Sequence, residues 1–170
     1  MHENHKMYYT WVLLHFRLIF YAIIGAISGL LLEELMMDFV CSECGHRESS
    51  DTYKPRCDKC GGLWKLDFTA PKFDLDKIDK DTWSIFRYRE FLPVEGDLWK
   101  NISLGEGMTP IINFDNGVLF KMEYYMPTLS FKDRGAAVLI ANCAKIGVKD
   151  VVQDSSGNAG DSVAAYCARA

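Results

Sequence analysis

The chain has 170 residues, 49% of them hydrophobic and 13% aromatic, with 19 basic residues against 23 acidic ones. That length admits one or two small domains with a core of their own, and the aromatic content excludes a disordered chain. A formal net charge of -4 with no basic block gives no electrostatic footprint for nucleic acid, so no nucleic-acid partner is expected.

Residues 1–36 form an apolar N-terminal segment, strongest over 11–32. Its uncharged part, Leu18 to Leu32, is 15 residues long, where a membrane-spanning helix wants about 20. Four readings stand open: a translated leader upstream of a true start at Met36 or Met37, a membrane anchor, a packed helix, and a signal peptide. Lys6 and Arg17 precede the apolar run and Glu33, Glu34 and Asp38 follow it. The positive-inside tendency would therefore export what lies downstream, which reads as cytoplasmic.

Residues 37–68 carry Cys41, Cys44, Cys57 and Cys60 in the pattern C-x2-C-x12-C-x2-C, with a glycine after each pair. A Cys-x-x-Cys-Gly knuckle lets the glycine take a positive φ and turn both sulfurs toward one ion. Two such knuckles supply four thiolates, the donor set of a closed structural Zn2+ site. Two disulfides or a redox dithiol are the competing readings. His46 beside a complete set is read as a surface residue, and Cys143 and Cys167 as buried small hydrophobes.

Residues 69–82 read as a linker. Beyond them, Asp81 is placed to cap a short helix over Thr82 to Phe91, whose Trp83, Phe86 and Phe91 suggest docking onto something larger. Ser103 to Pro110 (SLGEGMTP) is turn-rich and leads to two strands, Ile111 to Phe114 and Val118 to Glu123, around an Asn116-Gly117 turn. Ser130 and Asp133 resemble a capping box at the start of a helix closed by Gly147, placing Lys132 in its first turn. Val148 to Gln153 is expected as a strand. Ser155 to Gly160 (SSGNAG) opens a further helix, with Asn158 and Asp161 repeating the cap pattern. Strand, glycine-bearing turn and helix N-terminus make an anion site, and the alternation argues an α/β fold with a parallel sheet. Each feature alone has a plain explanation. A first-turn lysine is usually a solvated charge, yet here it opposes the helix dipole in a segment otherwise suited to capping.

Together SLGEGMTP, SFKDRG (Ser130 to Gly135) and SSGNAG, behind the cysteine knuckles and Phe86 to Phe91 (FRYREF), resemble the zinc-ribbon branch of the threonine synthase family. That family has the fold type II, tryptophan-synthase-β-like fold of pyridoxal-phosphate (PLP) enzymes. The resemblance covers roughly 37–170, so residues 83–170 are expected to be the N-terminal part of a PLP-dependent catalytic domain behind a zinc ribbon. It implies that Lys132 is the Schiff-base lysine and thus the catalytic and cofactor-binding residue. It implies that Asn158 bonds the 3'-oxygen of PLP, and that Ser155 and Ser156 hold the carboxylate of a small anionic amino-acid substrate. The family's reaction eliminates phosphate from O-phospho-L-homoserine and adds water at Cβ, giving L-threonine and phosphate. Threonine dehydratase and cysteate synthase share these motifs, and a non-catalytic zinc-binding fragment is the reading from another class.

Two positions depart. The family pattern Asn-Pro-Thr-Gly-Ser is here Met126-Pro127-Thr128-Leu129-Ser130, so Leu129 stands where positive φ would favour glycine, and Asp161 stands where a small residue is commoner. The family's glycine-rich phosphate cup and the partner of the pyridine nitrogen fall beyond residue 170. Ala164 to Ala170 read as mid-helix, so the chain is expected to be a fragment, to bind PLP poorly and to be inactive alone. Homo-oligomerisation of a full-length form is left open.

Overall fold

The computed structural model describes residues 37–51 and 53–170. The apolar 11–32 segment lies outside them. Among the described residues no helix is long and apolar enough to cross a membrane.

Strand β1 (Asp38–Cys41) is the centre of a three-stranded antiparallel sheet, flanked by β2 (Arg47–Ser49) and β3 (Trp64–Leu66). The register pairs Val40 with both Arg47 and Lys65, and Cys41 with Trp64. A sheet this small buries little. Phe39 and Trp64 meet with ring centroids 6.1 Å apart, and Arg47 bridges Asp38 and Asp67 across its edge.

Between this sheet and the helices, the 69–82 stretch holds only a short 3-10 helix, Leu75–Lys77. Asp79 anchors its end, accepting from Thr82 Oγ1 at 2.7 Å and from Arg89 at 2.6 Å. The helix expected from Thr82 is a 3-10 helix, Ile85–Phe91, kinked at Tyr88. Its cap is Ser84, which accepts from the Phe86 N–H; Asp81 instead folds back on Asp79. Of the three aromatic residues, Phe86 is wholly buried and stacked on Trp99 at 5.0 Å, and Phe91 packs on Phe73. Trp83 is 71% exposed.

The core is helical. Phe86 joins α1 (Trp99–Ile102), α2 (Lys132–Lys145) and α3 (Asn158–Arg169) through Trp99, Ile102, Ala136, Ala137, Ile140, Ala141, Val163 and Tyr166. The alanines of α2 at i, i+1, i+5 make one face small enough for α3 to approach closely. Gly147 ends α2 at φ +76°, and the Val148 N–H reaches back to the Cys143 carbonyl.

Strands β4 (Ile111–Asn113) and β5 (Leu119–Lys121) form the expected hairpin, paired Ile111 with Lys121. Asn116 and Gly117 both take positive φ, and the Phe114 N–H closes the turn onto Val118. Apolar residues of both strands, Ile111, Leu119 and Phe120 among them, stand exposed.

Three further expectations need correction. Val148 to Gln153 forms no strand and has no regular secondary structure; Val152 is 95% exposed. All strand pairing among the described residues is antiparallel. Cys143 and Cys167 are half-buried, not buried, and both line a cavity of about 190 Å³ at the far end of α2 and α3.

Candidate functional site

The relative direction of α2 and α3 decides what the site can be. Near their starts Asp133 meets Ser162, and near their ends Cys143 and Cys167 line one cavity. The two helices therefore run parallel, their N-termini at the same end. Parallel neighbours need a return crossing between them, which the irregular 148–156 segment supplies. Lys132 opens α2 and the Ser155 to Gly160 turn opens α3, so the two motifs share one end of the helix pair.

Lys132 is exposed, with Nζ 4.6 Å from the centroid of the Phe131 ring and, among the described residues, no carboxylate partner. Ser155, Ser156 and Asn158 are exposed as well. Neither capping box forms. At α2 the hydroxyl of Ser130 accepts from the Lys132 N–H at 3.3 Å and its carbonyl from the Asp133 N–H, but the Asp133 carboxylate points elsewhere. At α3 the N-cap is Gly157, with no side-chain cap. Its carbonyl takes the Gly160 and Asp161 N–H groups, and Asn158 is the first helical residue. The remaining first-turn N–H groups face solvent with the positive end of the helix dipole.

What the sequence reading missed is the layer underneath. Asp133 is wholly buried and accepts from the Thr128 N–H at 2.7 Å, from the Thr128 hydroxyl at 2.5 Å and from the Ser162 hydroxyl. Glu106, also wholly buried, accepts from the Leu104 N–H and the Tyr166 hydroxyl at 2.9 Å each, and from Ser103. Neither carboxylate has a basic partner within salt-bridge distance among the described residues. Ser162 and Tyr166 are i, i+4 on α3, so one face of that helix donates to both motif loops. Burial beside Glu106 pushes the Tyr166 phenol well above its ordinary range, so it stays a donor. Gly107 follows Glu106 at φ +115°, and a Cβ there would meet the Ile85 nitrogen at 2.7 Å. The loop therefore lies directly against the 3-10 helix, and the Ile85 N–H bonds the Glu106 carbonyl at 2.6 Å.

A third tie joins the hairpin to α2. Arg134 grips Glu123 through Nε at 2.8 Å and Nη2 at 2.9 Å, and reaches the Gly107 carbonyl at 3.1 Å. The Arg134 fork, together with the Thr109 hydroxyl, lowers the Glu123 pKa from 4.5 to about 2.

In the small sheet the four cysteine sulfurs all lie within 4.8 Å of one another, Cys41 to Cys60 at 3.4 Å and Cys44 to Cys57 at 3.7 Å. Ligands at about 2.3 Å from a tetrahedral Zn2+ stand about 3.8 Å apart, so the set fits such an ion. The knuckles repeat one geometry: Gly45 N–H to the Cys41 carbonyl and Gly61 N–H to the Cys57 carbonyl, with φ of +70° and +74°. The Cys44 N–H brings Cys41 down to about 6. The Gly62 N–H favours the Cys60 thiolate, but the sulfurs of Cys44 and Cys41 outweigh it and push Cys60 up to about 12. Four crowded sulfurs cannot all ionise without a cation among them. His46 is outside the set and bonds Glu48 at 3.0 Å.

Residues 102–170 match the family described as pyridoxal-phosphate dependent enzyme. The chain is 32% identical over 145 residues to a threonine synthase of Methanosarcina acetivorans, covering 79% of this chain and 35% of that protein. It is 36% identical over 141 residues to a threonine synthase of Methanocaldococcus jannaschii, covering 76% and 34%. Against a threonine synthase of Mycobacterium tuberculosis the identity is 41% over 93 residues, covering 51% and 26%. The chain thus spans about a quarter to a third of the length of these curated relatives. No solved structure matches it.

The Glu123 pair yields a pH prediction. A carboxyl with a depressed folded pKa contributes stability that is complete above its unfolded value, 4.5, and is lost as pH falls through about 2. Glu123→Gln should cost about 2 kcal/mol at pH 7 in denaturant melts, the worth of a charged hydrogen-bond pair. The gap between variant and parent should close progressively below pH 4.5. A gap unchanged from pH 7 to pH 2.5 contradicts the assignment.

Proposed function

We propose that this chain is the N-terminal part of a zinc-ribbon threonine synthase, a cytoplasmic PLP-dependent lyase that converts O-phospho-L-homoserine and water into L-threonine and phosphate. Its matches to threonine synthases support the substrate class. The observation that carries the reading is the parallel pairing of α2 and α3. It sets an amine without a carboxylate partner and an open turn of backbone N–H groups at one end. Such a pair of helix starts suits a ligand with an aldehyde at one side and anionic oxygens at the other.

Lys132 would hold the PLP aldehyde and Asn158 the ring's 3'-oxygen, with Ser155, Ser156 and the first turn of α3 on the substrate carboxylate. PLP, when bound, would supply an electron sink for a carbanion at the substrate Cα. The chain's own contribution is positional and electrostatic. Lys132 must be neutral to attack a carbonyl and then to carry protons. The acidic Asp161 in the first turn of α3 offsets part of the positive potential offered to an anionic substrate. In this reading 37–68 is a structural Zn2+ ribbon with ligands Cys41, Cys44, Cys57 and Cys60, 69–82 connects it, and 83–170 is catalytic. The exposed strands β4 and β5 and the unpaired 148–153 segment support an incomplete catalytic sheet.

Two measurements test the proposal. The gene product read on in frame past Ala170 should release phosphate from O-phospho-L-homoserine with equimolar threonine, and Lys132→Ala should abolish the release. Ammonia from threonine, without phosphate release, overturns it. Purified reduced chain should hold one zinc ion by elemental analysis, lost in Cys41→Ser and Cys60→Ser. A metal content near zero in the parent removes the ribbon.

A further inference from the structure

A wholly buried carboxylate at the second position of a helix ordinarily caps that helix's own N–H groups. Asp133 does not. The Lys132 and Asp133 N–H groups are taken by the side chain and carbonyl of Ser130. The carboxylate instead binds the N–H and hydroxyl of Thr128 and the hydroxyl of Ser162. Between Thr128 and Asp133 the chain runs through Leu129, Ser130, Phe131 and Lys132, so the carboxylate closes a clamp around the residues that lead to the amine.

Inside the clamp Leu129 sits at φ +61°, the left-handed region that a side chain adopts only under strain. Leu129 is 74% exposed, so packing gives nothing back for that conformation. The turn closed by the Leu129 N–H on the Met126 carbonyl, 2.9 Å, and the double bond from Thr128 to Asp133 are what hold it. Released, Leu129 returns to an unstrained φ, and the start of α2 turns with it. We infer that Asp133 is a positioning residue for Lys132, acting through Thr128 and locked in place by Ser162. The inference rests on the reading of Lys132 as the PLP lysine.

Both hydroxyls lie within hydrogen-bond distance of the same oxygen of Asp133, and the Thr128 and Ser162 oxygens, 3.0 Å apart, bond each other as well. An amide at 133 gives up one of the two acceptor oxygens and turns an N–H2 toward hydroxyls that must rotate to accept it, so D133N loosens the clamp at nearly constant volume. T128V removes the hydroxyl and keeps the shape, while T128S keeps the hydroxyl.

The 170-residue chain is incubated with PLP and reduced with borohydride, which accumulates even a sparsely populated imine. Peptide mass spectrometry then reads occupancy at Lys132 against Lys121, Lys145 and Lys149 as internal references, from pH 6 to 9, in variants matched for thermal melting. In the parent, Lys132 should be labelled at least tenfold above the references. In D133N that preference should fall about tenfold at every pH. T128V should fall severalfold, and T128S should behave as the parent. A Lys132 preference unchanged in D133N and T128V overturns the positioning role alone. A loss in D133N without one in T128V, or equal loss in T128S and T128V, overturns the path through Thr128. A parent in which Lys132 is labelled no more than the references refutes Lys132 as the PLP lysine, and the positioning role falls with it.

Discussion

Two carboxylates withdrawn completely from water, Asp133 and Glu106, set the terms for everything around them. A buried carboxylate without a cation is tolerated only where donors converge on it, and leaving one unpaired costs several kcal/mol. Both find their donors on the same face of α3, Ser162 for one and Tyr166 for the other, a helical turn apart. That face has no freedom to slide or reverse, because either movement would strip a buried carboxyl group of its hydrogen-bond partners. Parallel alignment of α2 and α3 follows, and with it the meeting of Lys132 and the Ser155 to Gly160 turn at one end.

The remaining contacts extend this lock outward. Glu106 gathers Ser103 and Leu104, and its carbonyl holds the Ile85 N–H, so the 3-10 helix that buries Phe86 is fixed by the same residue. Arg134, one residue past Asp133, reaches the other way to Glu123, Thr109 and Gly107. Adjacent residues of one helix turn thus fasten the lysine loop, the glycine loop and the hairpin. The cysteine sheet obeys different physics. Its strands of three and four residues bury too little to stand alone, and the four converging sulfurs offer a donor set through which a metal ion would tie them together.

The sequence made some of this legible and hid the rest for physical reasons. Cysteine spacing reports a local geometry, two knuckles, so the convergence of four sulfurs could be read from it. The Asn116-Gly117 turn and the stop at Gly147 were readable because positive φ is a property of single residues. Leu129 was suspect on the same grounds, and the structure places it at φ +61°. Asp133 and Glu106 were opaque. Within their motifs they look like a cap and a turn residue, and only the tertiary fold brings Ser162 and Tyr166 beside them. Asp81 lost its expected capping role to Ser84 because Asp79, two residues before it, was already bound by Arg89 and took the Asp81 N–H. Val148 to Gln153 has the composition of a strand, but a strand is defined by its neighbour, and none of the described strands lies there.

The central claim is that the Asp133 carboxylate holds the Thr128 backbone and through it the lysine loop. The most direct measurement is amide hydrogen exchange at Thr128, followed by NMR in the parent and in D133N. The account predicts that the Thr128 N–H exchanges as slowly as the core amides of Ala137 and Ile140. In D133N it should become at least a hundredfold faster while those core amides remain protected. Exchange of Thr128 at the rate of an open loop in the parent, or equal protection in both proteins, contradicts it.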